Sequence, residues 1–179
     1  MLNNGKYVLY RAALLLYLAS FAGVVISQPF PTHEVYIRVT GGRNVQLNVN
    51  SFARYNNGYT LENWTRLVID IPESVRAAGQ PWSLYAFADS NQLLGDMFGN
   101  LLDAGYITLT ATRVSGDITP AVGGRLVATE RTLKLADGIG HGRFELMISY
   151  GIGTEADRRL LGHPADIYFT DVWFQVYAD

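Results

Sequence analysis

The chain has no cysteine, which removes disulfides, thiolate metal sites and a lipid-bearing cysteine behind an export signal in one step. Lysine is nearly missing too. Beyond Lys6 only Lys134 remains, so the positive charge is carried by arginine, whose planar multi-donor head suits packed surfaces and carboxylate contacts. Formal net charge is −2, and setting aside Lys6 and Arg11 leaves 12 basic against 16 acidic residues, or −4. That balance argues against a nucleic-acid partner. There is no Gly-x-Ser-x-Gly elbow, no internal repeat, no low-complexity tract and no interdomain linker. The longest apolar run, Ala12 to Val25, is shorter than the ~20 residues of a bilayer-spanning helix, so no membrane span is expected in the mature form.

That run does have the parts of a secretory signal: Lys6 and Arg11 before it, and a Val25-Ile26-Ser27 exit after it. Residues 1–27 are therefore expected to be a signal peptide cleaved before Gln28. Residues 28–179 remain as one domain that is secreted or held at the cell surface. They suffice for a sizeable core, and without disulfides stability must come from that core.

Short alternating runs broken by glycine, asparagine and proline dominate the rest, a β signature. Val35, Ile37 and Val39 share one face of Glu34 to Thr40, and Val45, Leu47 and Val49 repeat the pattern beyond Gly41-Gly42, which reads as a hairpin. Leu67, Ile69 and Ile71 form a third strand ended by Pro72. Further strands are expected over Trp82 to Ala88, Tyr106 to Val114, Leu126 to Leu135, Arg143 to Tyr150 and Asp166 to Tyr177. The last of these carries Val172, Phe174 and Val176 on one face as candidate contacts of the C-terminal strand. Only Ser74 to Ala78 and Leu93 to Asp103 could hold short helical turns, and the stretch carrying Asn56-Asn57-Gly58 reads as a polar loop leading to the third strand. The expectation is an all-β antiparallel sandwich of the Greek-key, immunoglobulin-like type with about eight strands, a barrel being the other economical architecture.

Few constellations point to chemistry. Gly138 to Gly142 resembles a phosphate loop, but a strand rather than a helix follows it, so it reads as a turn with His141 exposed. His33, His141 and His163 lie in separate loops, and no cofactor or transition metal is expected. Asp89, Asn91, Asp96, Asn100 and Asp103 offer hard oxygens of the kind calcium takes, without EF-hand spacing. Glu130 and Glu145 are the one carboxylate pair that could serve a hydrolase, and surface alternation accounts for both. Aromatics are abundant. Among the loop-flanking ones, Tyr59 and Trp64 are candidate binding residues for a glycan or protein, and Asn63-Trp64-Thr65 fits a glycosylation acceptor.

Three stretches, Asn56-Asn57-Gly58-Tyr59-Thr60-Leu61, Trp82-Ser83-Leu84-Tyr85, and Leu160-Leu161-Gly162-His163-Pro164 with Asp166 to Phe174, resemble small secreted β-sandwich proteins of Bacteroidetes-type bacteria, which are fimbrial or surface-fibre subunit-like. The resemblance covers about a third of the mature chain. It implies export and a structural role, and it supplies no catalytic residue.

The expectation is thus a non-enzymatic secreted or cell-surface structural protein, a self-associating filament subunit, with a carbohydrate- or protein-binding module, an eight-stranded outer-membrane barrel and a hydrolase as the competing readings. In a filament, Gln28 to Thr40 would be the donated strand, with Val35, Ile37 and Val39 in phase to fill a neighbour's groove. The competing arrangement pairs that segment with Val45 to Val49 inside its own domain.

Overall fold

The computed structural model describes residues 26–29, 34–47, 51–75, 79–97, 99–164 and 166–178. Two antiparallel sheets enclose the core. The first runs in the order β1 (Ile26–Pro29), β2 (Glu34–Gly41), β3 (Tyr59–Ile71), β11 (Gly142–Ile152), β7 (Ile107–Ser115), β9 (Gly124–Arg125). The second is β13 (Val172–Ala178), β4 (Pro81–Ala88), β10 (Leu133–Ile139), β8 (Ile118–Pro120). A small third sheet sets β12 (Tyr168–Phe169) and β6 (Leu101–Asp103) on either side of β5 (Gln92–Gly95). The sandwich is as expected, but with about a dozen strands among the described residues rather than eight. None of the sheets closes on itself, which removes the barrel reading.

Period-two alternation builds both inner faces. Leu67, Ile69 and Ile71 of β3 and Phe144, Leu146, Ile148 and Tyr150 of β11 meet Trp82, Leu84, Ala86 and Ala88 of β4 with Leu133 and Leu135 of β10. The Trp82 indole meets the edge of Phe144 across the gap, ring centroids 4.8 Å apart. Burying a dozen such side chains at ~1.5–3 kcal/mol each is what replaces disulfides here. The Tyr150 hydroxyl is satisfied inside this core by donating to Thr65 Oγ1 at 2.9 Å, and burial pushes its pKa up to about 12.

Four local expectations are corrected. First, β2 does not pair with Val45 to Leu47; it lies between β1 and β3, with Ile37 opposite Ile69 and Val39 opposite Leu67. The Gly41-Gly42 stretch does not close a tight hairpin because Gly42, at φ 63°, rests on the β3 backbone, where a Cβ would come within 2.0 Å of the Trp64 carbonyl oxygen. Val45 and Leu47 pack on the core without joining a sheet, and residues 48–50 lie outside the described ones. Second, Leu126 to Leu135 is not one strand: the polar run Thr129 to Thr132 turns the chain, with Arg131 at φ 58°, between β9 in the first sheet and β10 in the second. Third, Leu93 to Asp103 is a β5–β6 hairpin rather than a helical turn, because Leu93 and Leu102 form a buried cross-strand pair. Fourth, the polar segment before Gly58 contains a short helix, α1 (Phe52–Asn57), capped by Ser51.

Candidate interaction surfaces

The sequence-selected residues fall in three places. Val35 is 6% exposed in the core, and Ile37 and Val39 are half-buried against it. They serve their own domain. Val172, Phe174 and Val176 line the inner side of β13, Val176 in the core and the other two packed on it. Tyr59 and Trp64 are not brought together: Tyr59 packs on the core with the Arg54 guanidinium 4.6 Å from its ring centroid, whereas Trp64 is 45% exposed with Nε1 donating to the Asn44 carbonyl at 2.9 Å. Asn63 sits beside it at a β3 bulge with φ 48°, exposed.

Glu130 and Glu145 are likewise separated. Glu130 accepts from the Tyr177 hydroxyl at 2.9 Å on the second sheet, and Glu145 lies mid-strand in the first, bonded by Arg66 and Arg143. The hydrogen bond from Arg66 holds the Glu145 carboxyl below its usual range against the effect of desolvation. Each carboxylate is therefore engaged locally, and the two share no cleft. Three of the five loop residues proposed for calcium are engaged in local bonds: Asn91 Oδ1 accepts from Ala128 N, Asp103 Oδ1 from Gly105 N, and Asn100 donates to Asp166. Among the described residues no three acidic or histidine side chains are grouped to hold a metal ion. His163 bonds the Tyr106 hydroxyl at 2.7 Å, His141 is exposed in its turn, and His33 lies outside the described residues. A small cleft by Tyr55, His163, Asp166 and Tyr168 has room for about one water molecule.

Sequence reasoning did not find the outer face of the second sheet. Ser83, Tyr85 and Phe87 of β4 stand opposite Tyr177, Gln175 and Trp173 of β13. Phe87 and Trp173 stack at 6.2 Å, and Tyr85 meets the edge of Tyr177 at 5.5 Å. Arg131 lies 3.8 Å over the Tyr177 ring, and the single proton of the Tyr177 hydroxyl is shared between Glu130 and Gln175. Burial first, then the Glu130 carboxylate, pushes that phenol up to about 12. The rings cap one another, so this face is not an open stacking platform. The odd-numbered phase of β13, with Trp173 and Tyr177 on either side of Gln175 and opposite the apolar even phase, was the available signal.

The edge of this sheet is different. Among the described residues β13 pairs only with β4, and bonding directions follow from two contacts: Asp89 N–H donates to the Asp171 carbonyl, whereas Ala88 N–H points the other way, to Val127. With Asp171 bonded to β4, antiparallel alternation assigns Trp173, Gln175 and Tyr177 to β4 as well. The N–H and C=O groups of Val172, Phe174 and Val176 then point outward from the open edge. The strand has no charge, no proline and no bulge, the devices that usually blunt an edge. The terminal strands at the other ends are short and leave part of their neighbours open, since β9 covers only Thr108 and Leu109 of β7 and β1 only Glu34 to Ile37 of β2. β9 has two residues, with Arg125 engaged by Glu155 and Asp157; β8 has three and ends in Pro120; β1 has four and ends in Pro29.

No family model matches this chain, and no curated protein is significantly similar to it.

Proposed function

We propose that this chain is a non-enzymatic structural protein of the cell surface or extracellular space that works by association, using the open edge of its second sheet. The observation that carries this reading is β13: seven residues of uncharged, unguarded strand whose outward backbone groups have no partner among the described residues. Such groups gain hydrogen bonds when another strand is added. Export rests on the signal-like sequence before Gln28, and the structural role on the separate local engagement of Glu130 and Glu145, the one candidate acid pair. The exported protein purified from expressing cells, measured by light scattering and electron microscopy over a concentration range, should exceed the monomer mass. A strict monomer throughout would sink the reading.

A further inference from the structure

Independently of the β13 edge, we infer that the outward face of the small third sheet docks a protein segment that presents apolar side chains bordered by lysine or arginine. Strand alternation breaks down on this face. The inward pair of β5 and β6, Leu93 and Leu102, is buried, yet the next register position, on the opposite side, is apolar again: Leu94 faces Leu101 on one flank and Phe169 of β12 on the other. A sheet with one solvated side carries polar residues there, as the outward pair Gln92 and Asp103 does.

The apolar row extends further. Gly95 N–H and Asp96 N–H bond in opposite directions, to the Asn100 and Ile167 carbonyls, so the alternation of β5 runs on through Asp96 and leaves Ile167 on the same side as Phe169. Met97 follows in the turn, its N–H held by the Asp166 carboxylate. Leu94, Met97, Leu101, Ile167 and Phe169 are between 38% and 64% exposed. Together they present on the order of 400 Å² of apolar surface, the size at which a patch on a monomer marks an interaction site.

Charge selects the occupant. The stretches that build this sheet, residues 89–104 and 164–171, hold five aspartates and no lysine or arginine. Asp96 and Asp103 are exposed on the outward side at opposite ends of the leucine pair. Arg158 comes within 3.8 Å of Asp103, and Asp96 has no ion pair among the described residues. A segment with apolar side chains between cations meets both features, covering the leucines while its charges reach the two carboxylates. A second copy docked by the same face would bring carboxylates of one sign together, and an anionic lipid surface would be repelled by them.

The test uses the exported full chain and, as probe, a fluorescein-labelled peptide of leucine and lysine at amphipathic helical spacing, followed by anisotropy at about 0.15 M salt. This peptide should bind, and its counterpart with glutamate for lysine should not. Leu94→Thr combined with Leu101→Thr should weaken binding about tenfold, and Asp96→Lys about threefold or more, with circular dichroism as the folding check. Phe169→Thr serves if the double variant misfolds. Val122→Thr, at a more exposed apolar residue elsewhere, should change nothing. No binding, equal binding of the two peptides, or binding that ignores these substitutions overturns the proposal. So does self-association in sedimentation, or binding to phosphatidylcholine vesicles, that the double variant abolishes, because the occupant is then a second copy or a lipid surface. Oligomers formed through β13 should persist in every variant, so the two surfaces are judged separately.

Discussion

Gly138→Ala is a sharp test of how the two sheets are joined. Gly138 lies in β10 directly opposite Trp82 of β4, two residues before the chain leaves the second sheet for the first, and the indole lies across it. A Cβ at this position would stand 2.1 Å from Cζ2 and 2.3 Å from Cε2 of Trp82. The ring would have to retreat by about 1.4 Å to restore ordinary carbon contact at ~3.5 Å. It has little room, being fully buried with Phe144 against it. Gly138 does not have a positive φ, so alanine meets the side-chain clash without left-handed backbone strain. Overpacking of this kind costs about 1–3 kcal/mol, and the stiffer unfolded chain returns ~0.4–1 kcal/mol, leaving a net loss near 2 kcal/mol. Urea unfolding followed by tryptophan fluorescence and circular dichroism should show the midpoint falling by roughly 1 M for a slope of about 2 kcal/mol/M. Trp82→Phe removes the benzo ring that clashes, so in that background the alanine should cost about 1 kcal/mol less. Equal stability of Gly138→Ala and wild type, or an equal cost in both backgrounds, would refute the packing argument.

Val35→Asp should lower stability by roughly 3 kcal/mol, through lost burial and an unpaired buried carboxylate, and so unfold the domain rather than yield a folded but unassembled monomer; circular dichroism separates these outcomes. Asp166 accepts from Asn100 and from the amides of Met97 and Ile167, and although burial opposes its charge these bonds, with one from Asp96, hold its pKa below the ordinary 3.8. A depressed carboxylate stabilises fully above its unfolded pKa and loses that contribution as pH falls through the folded one, so the β5–β6 hairpin should loosen below about pH 4. Hydrogen exchange at Met97 and Ile167 should report this, and Asp166→Asn should weaken the pH dependence; unchanged protection would contradict it. The double variant Glu130→Gln, Glu145→Gln should fold and associate as wild type does in sedimentation, since glutamine at 130 keeps an acceptor for the Tyr177 hydroxyl of β13 and Glu145 lies mid-strand in the other sheet. Loss of a hydrolytic activity in the folded double variant would instead reveal a cleft that the separation of the two residues argues against.

Much of the sandwich was legible because the alternation is local. Leu67, Ile69 and Ile71, or Val172, Phe174 and Val176, declare a face by period alone, and tertiary packing left that face inward. Partnership is not local. Nothing in Glu34 to Thr40 distinguishes β3 from Val45 to Val49 as its neighbour; the choice was made by the thirteen-residue length of β3 and by Gly42 seating the chain on that strand's backbone. The Leu126 to Leu135 stretch, read as one strand, likewise hid a change of sheet. The candidate surface divides the same way. The sequence determined that β13 is uncharged and that one of its faces is apolar, whereas only the tertiary structure decided that this strand is an edge. An edge is defined by which strand is absent beside it, and that depends on the order in which the whole chain is laid into the sheet, a long-range property that no window of seven residues contains.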